Sequence, residues 1–214
     1  MGTEGNNKNP WIKIDPEDYE QHMSHSSVYQ LQTLNNITKD QYSRYMPETL
    51  VIFGVCTGNG LEHISNEFTR ETYGIDINNS FLEICRKRYS DKIKNLNLVC
   101  LDVNTSYFDK TKADLVIANL FIEYTGIDRF IEQINILKKK GTVVSVIIQK
   151  NNTNSFISDS GINTLGMLSV FHDEINDKEL ELKLKENNFI KLKKNNYDLP
   201  NGKQFIRIDY CHNV

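Results

Sequence analysis

The stretch Leu50-Val-Ile-Phe-Gly-Val-Cys-Thr-Gly-Asn-Gly-Leu-Glu-His-Ile64 constrains this chain more than any other. Leu50 to Phe53 is a short apolar run with the length and bulk of a buried strand. Gly54, Gly58 and Gly60 then set a turn, and glycine lets the backbone approach a ligand where a Cβ would collide. The pattern predicts a helix from Leu61 to Phe68, whose N-terminus would offer unpaired N–H groups and a partial positive charge. About twenty residues on from the turn, Tyr73-Gly-Ile-Asp-Ile-Asn78 is a second apolar run, carrying the acid Asp76. Strand, glycine turn, helix, strand and acid is the order in which an α/β sheet grips an adenine nucleoside, with the carboxylate on the ribose hydroxyls.

The rest of the chain repeats that alternation. Ser80-Phe-Leu-Glu83 reads as a capping box that opens a helix to about Tyr89. Asn97 to Asp102 and Ala113 to Ala118 are a third and a fourth strand, followed by a helix from Ile127 to Lys140 and a fifth strand from Thr142 to Ile148. Near-continuous apolar strands alternating with helices imply a parallel sheet covered on both faces. Ligands of such sheets bind at the carboxyl ends of the strands, where Gly54, Asp76, Asp102 and Asn119 should converge. Asn151 to Ser160 reads as a loop, and Asn176-Asp-Lys-Glu179 caps a helix to about Glu186. Phe189 to Asn195 and Gln204 to Tyr210, joined through Leu199-Pro-Asn-Gly202, form a terminal hairpin that adds an antiparallel edge.

Before the first strand, residues 1–12 are rich in Gly and Asn and expected to fray. Asp15-Pro16-Glu17-Asp18 opens a helix with a capping acid, a proline at the first helical position and acids in the first turn. A second helix is expected from about Ser26 to Tyr45. Residues 1–46 are thus an N-terminal helical extension on a body spanning 47–214, and Tyr29, Gln30 and Gln32 are candidates for one wall of a substrate site.

Composition narrows the class of function. A net charge of −3 argues against a large nucleic-acid footprint, which shows as a basic excess. No apolar run approaches the roughly 18 residues of a membrane helix, and the first residues are too polar for a signal peptide. The four cysteines lie far apart without metal-ligand spacing, and read as reduced, mostly buried thiols of a cytoplasmic protein. Nothing in the pattern speaks to an oligomeric state.

Several of these segments together resemble the class I S-adenosylmethionine-dependent methyltransferases, over roughly residues 47–210. The likeness rests on Gly54-Val-Cys-Thr-Gly58-Asn-Gly60, Gly74-Ile-Asp76, Leu101-Asp102, the run Asp114 to Tyr124 and the C-terminal hairpin. It implies a Rossmann-like, doubly wound sheet of seven strands, mostly parallel, with helices on both faces. It also implies S-adenosylmethionine as cofactor, S-adenosylhomocysteine as product and no metal. By that resemblance Gly54, Thr57, Gly58 and Gly60 would line the methionine part, Asp76 with Ile77 would hold the ribose, and Asp102 with Val103 would meet the adenine. Asn119 and Leu120 would sit near the sulfonium. This chain has Ile52 where the family usually has an acid, and Cys56 where it usually has a second glycine. A Cys fits such a turn when its φ is negative.

Methyl transfer needs an aligned acceptor and exclusion of water, because the sulfonium is already an electrophile. Where the acceptor carries a proton, a base must remove it. Glu123, Tyr124 and His172 are the candidates for base or substrate positioning, and Tyr29, Gln30 and Tyr124 for substrate contacts. The expected activity is methyl transfer to a small-molecule acceptor. The competing readings are a non-catalytic cofactor-binding regulator or scaffold, a nucleic-acid or protein methyltransferase, and an NAD(P)-dependent oxidoreductase. The last would need a glycine where His63 stands.

Overall fold

The computed structural model describes residues 9–151 and 156–214, so the expected fraying of residues 1–8 and the core of the 151–160 loop lie outside the described residues. Seven strands form one sheet: β1 (Thr49–Phe53), β2 (Glu71–Asp76), β3 (Leu96–Cys100), β4 (Leu115–Asn119), β5 (Val143–Lys150), β6 (Phe189–Asp198) and β7 (Gln204–His212). Their order is β3-β2-β1-β4-β5-β7-β6. Strands β1 to β5 are parallel, and β7 runs antiparallel to both β5 and β6. Order reverses at β1, which pairs with β2 on one side and β4 on the other. In register, Phe53 lies opposite Ile75 and Ala118, so the residues that follow leave three adjacent strand tips together.

The period-2 alternation of β1 assigns its two faces. Val51 and Phe53 pack with α4 (Ile127–Leu137) and α5 (Asp177–Glu186). Leu50 and Ile52 pack against α2 (Gln30–Tyr45) and α3 (Asn79–Tyr89). Phe130, Ile131, Ile134 and Leu137 are all buried, as their spacing on one helical stripe requires. Burying a side chain such as Phe130 is worth about 1.5–3 kcal/mol. A buried ionic knot lies under α2: Arg207 on β7 donates to Asp209 on the same strand and to Asp40 on α2.

The helix expected over Leu61 to Phe68 is absent, and only a turn of 3₁₀ helix, Leu61–His63, forms there. Side chains in this run bind backbone locally and compete with helical bonds. Glu62 folds back to accept from the Gly60 N–H, while Ser65 Oγ accepts from the Glu67 N–H and Asn66 accepts from the Lys94 N–H. The preceding glycine turn therefore leads into no long helix, and α2 packs against it instead.

Smaller differences have equally local causes. Helix α1 (Pro16–Ser24) starts on the Asp15 cap as expected, but α2 begins at Gln30 because Tyr29 adopts φ 54°. Helix α3 is capped by Asn78, whose side chain accepts from the Ser80 and Phe81 N–H groups, rather than by a Ser80 box. Helix α4 ends at Leu137 because Lys138 is extended. Cys100, on the edge-side strand β3, is exposed rather than buried. A 3₁₀ segment at Thr164–Val170, silent in the sequence pattern, folds back over the strand tips and buries Leu165 and Leu168.

Candidate active site

Asp76 closes β2 and organises the site. Its Oδ2 accepts from the Cys56 N–H and its Oδ1 from the Asn78 N–H, both at 2.9 Å. The carboxyl is only 6% exposed. Burial pushes its pKa up to about 6, against the opposing pull of those two N–H groups. Cys56 reaches Asp76 by adopting φ 49°, so the negative φ expected of a cysteine here does not hold. A left-handed residue costs roughly 1–2 kcal/mol, and a hydrogen bond to a charged group returns about 1.5–3 kcal/mol.

Two glycines of the turn serve packing. Gly58 has φ 91°, and a Cβ there would lie 2.7 Å from the Tyr89 ring and 2.9 Å from Cys85 Sγ. Gly60 shares that φ, and its Cβ would meet the Thr38 methyl at 2.7 Å. This chain's own α2 and α3 side chains thus occupy the space on which the glycines border.

The other strand tips add polar groups. Asp102 Oδ1 accepts from the Asn104 N–H at 2.9 Å. The Asn119 carboxamide faces Gln41 and Thr38 of α2. Leu120 is left-handed at φ 53°, its N–H donating to the Ile147 carbonyl at 2.8 Å. That kink places Phe121 in a stack on Phe53, ring centroids 5.3 Å apart.

A strap from the N-terminal extension crosses these tips. Asn78 Nδ2 donates to the carbonyls of Trp11 and Ile14, each at 2.9 Å. Glu20 accepts from the Thr57 hydroxyl and from the Arg88 guanidinium, which holds its carboxyl below the usual range. The Trp11 ring meets Tyr124 edge-on at 4.9 Å, and Tyr19 leans on Phe81 at 5.1 Å. Strap, strand tips, α2 and the Thr164–Val170 segment enclose a hollow with about 1420 Å³ of empty space, part of it open to solvent.

Gly54, Asp76, Ile77, Asp102, Val103, Asn119, Leu120, Tyr124 and Gln30 all line this one hollow. Thr57, Gly58 and Gly60 stand behind the turn, outside the lining. Glu123 and His172 are also outside it. Glu123 is buried in the 3₁₀ turn Ile122–Tyr124, with Oε1 accepting from the Gln149 N–H at 2.8 Å. Burial pushes its pKa up to about 7. The His172 ring stacks on Phe156 at 3.5 Å. Tyr29 is exposed, and Gln32 donates to the Ser24 carbonyl on the strap. The sequence reading overlooked Trp11, Tyr19, His22, Leu165 and Leu168 in the lining. The one available signal was the only tryptophan of the chain, in a run otherwise rich in Gly and Asn. No group of three His, Cys, Asp or Glu among the described residues is placed to hold a metal ion.

An acid beside a glycine turn at the reversal point of a seven-stranded sheet is the arrangement in which α/β sheets commonly bind nucleosides. Residues 51–145 match the family described as "Methyltransferase domain", in line with the resemblance to class I S-adenosylmethionine-dependent methyltransferases. The fold is similar to magnesium protoporphyrin IX methyltransferase from Synechocystis PCC 6803, at 11% identity and a TM-score of 0.68, covering 92% of this chain and 93% of that one. It is also similar to the N-methyltransferase NodS of Bradyrhizobium japonicum WM9, at 10% identity and a TM-score of 0.63, with 96% and 99% covered. The [4+2]-cyclase SpnF shares it at 12% identity and a TM-score of 0.67, with 86% and 82% covered. A cyclase and methyltransferases on one fold leave the reaction to be argued from the site. No curated protein matches the chain in sequence. Among the described residues no helix is long and apolar enough to cross a membrane.

Proposed function

We propose that this protein transfers the methyl group of S-adenosylmethionine to a small molecule enclosed beneath the N-terminal strap. The observation that carries this reading is the convergence of Gly54, Asp76, Asp102 and Asn119 on one hollow that also contains Gln30 and Tyr124. The residues fit the cofactor. The Asp76 carboxylate, held by the Cys56 and Asn78 N–H groups at the edge of the hollow, would accept from a ribose diol. Asp102 and Val103 would meet the adenine, Ile77 would pack on the ribose, and Asn119 with Leu120 would flank the sulfur. When bound, the cofactor supplies a methyl group already activated by its sulfonium.

The chain's own work is then to orient and enclose. Tyr124 and Gln30 would position the acceptor. Glu123 acts one layer back, holding the Gln149 backbone at the end of β5, and His172 braces the Phe156 ring. Thr57 ties the strap through Glu20. Residues 1–46 serve as cover and 47–214 as the cofactor-binding body. The four unpaired thiols support placing the protein in the cytoplasm. Calorimetric titration with S-adenosylhomocysteine tests the reading: one molecule should bind per chain, and absence of binding would reject it.

A further inference from the structure

The far end of the hollow differs in chemistry from the strand tips. Met23, Leu34, Leu165 and Leu168 there belong to one packed apolar cluster, which continues through Trp11 and Tyr124 to the strand tips. Among the described lining residues the carboxylates are Asp76 and Asp102, both at the cofactor end, and none is a lysine or arginine. Lys203 is buried close enough to act electrostatically on His22, but it is not part of the lining and its ammonium donates to the Phe156 carbonyl. A carboxylate, phosphate or ammonium enclosed here would find no ion partner among the lining side chains at this end, and an unpaired buried ion costs several kcal/mol.

The polar groups at that end are neutral. Gln30 Nε2 donates to Gln149 Oε1 at 2.7 Å. His22 is buried on α1, its Nδ1 fixed at 2.7 Å from the Ser160 hydroxyl, which leaves Nε2 to meet a ligand. The lining tyrosines 19, 42 and 124 are all pushed above their ordinary pKa by burial, so none can take a proton near neutral pH. Burial pushes His22 the other way, below its ordinary value, with Lys203 of the β6–β7 turn and His25 beyond α1 adding to the effect. An unprotonated imidazole is therefore the group at this end able to accept a proton.

We infer that the methyl acceptor is an uncharged, largely apolar small molecule bearing a hydroxyl, and that the imidazole of His22 takes the proton this hydroxyl loses. The inference rests on the methyl transfer proposed above. The hydroxyl oxygen's lone pair forms the new bond to the methyl carbon, and the carbon–sulfur electron pair stays with sulfur as a neutral thioether. The displaced proton moves to Nε2, so the sulfonium's positive charge reappears as imidazolium.

The test uses the full chain saturated with S-adenosylhomocysteine, titrated calorimetrically with 2-naphthol, tryptophol and 1-octanol. Their charged counterparts 2-naphthoate, 2-naphthyl phosphate, tryptamine and octanoate are titrated alongside. At least one alcohol should bind ten-fold or more tightly than its counterpart. Equal or tighter binding of the charged members, or binding of no alcohol to protein that does bind S-adenosylhomocysteine, overturns the inference and leaves the methyltransferase reading standing. Failure of S-adenosylhomocysteine itself to bind removes that reading instead. With S-adenosylmethionine and the tightest alcohol, His22→Gln should lower turnover by about 100-fold or more while its affinity for S-adenosylhomocysteine stays within about two-fold. The rise of the wild-type rate with pH, centred below the ordinary histidine pKa, should vanish in the variant. Wild-type turnover in His22→Gln, or alcohol binding without any transfer by the native chain, contradicts the role given to His22.

Discussion

The two ends of the hollow are built from different materials. At the strand tips of β1, β2 and β3, backbone N–H groups and two carboxylates are held by short parallel strands whose register leaves little freedom. At the opposite end, the end of α1, the start of α2 and a 3₁₀ segment meet through apolar side chains and two glutamines. On the proposed reading, the first end would recognise a constant ligand by fixed polar geometry. The second would sort acceptors by shape and by the cost of burying charge, a property set by side chains that can be exchanged without disturbing the sheet.

Four changes would break or sharpen this contrast. The largest effect is expected from Asp76→Ala, which removes the acceptor for both backbone donors and for the ribose. The affinity for S-adenosylhomocysteine should fall by about 100-fold or more, since truncating a buried charged partner costs 2–5 kcal/mol. Asp76 also sets a pH dependence. Its folded pKa of about 6 lies above the ordinary 3.8, so the ligand-free fold loses stability as pH rises between those values. The ionised form would accept the ribose hydroxyls, so affinity should climb through about pH 6 and then level off. Calorimetric titration from pH 5 to 8 follows the affinity, and thermal unfolding from about pH 3.5 to 6.5 follows the stability.

Next comes Gly58→Ala, whose Cβ would meet Tyr89 and Cys85 at a φ of 91°. Strain and overpacking together should cost about 2 kcal/mol in urea denaturation. A stable variant would show that the turn has room to spare, contrary to its packing role.

Glu123→Gln should have a smaller effect that depends on pH. Burial raises the Glu123 pKa from 4.5 to about 7, so the folded state holds a proton that the unfolded state has released. Stability from this group is therefore present at low pH and is lost as pH rises through that window. The variant should match the native chain near pH 4 and exceed it by about 1–3 kcal/mol near pH 8.

The smallest effect on the cofactor end is expected from Gln30→Ala. It should alter acceptor binding while changing the affinity for S-adenosylhomocysteine by less than about two-fold, because sites without shared partners act nearly independently. A ten-fold loss would join the two ends energetically.

The sequence made the sheet and cofactor end legible because both depend on local patterns. Asp15 before Pro16, Asn176 before α5 and the acid at the tip of β2 each act through neighbours within a few residues. The missing helix after Gly60 was illegible because its apolar spacing is helical, whereas Glu62, Ser65 and Asn66 bind backbone instead. The positive φ of Cys56 follows from a bond to Asp76, twenty positions away in sequence. The acceptor end was hidden for the same reason on a larger scale. Trp11, His22 and Leu165 come from three segments that meet only once the strap has closed. A buried histidine with a serine partner in a distant loop leaves no periodic trace.

The most direct test is a crystal structure of the protein with S-adenosylhomocysteine. The ribose hydroxyls should lie on Asp76, the adenine beside Asp102 and Val103, and the sulfur beside Asn119 and Leu120, facing Gln30 and Tyr124. An adenosyl group bound elsewhere, or Asp76 turned away from the sugar, would contradict the account.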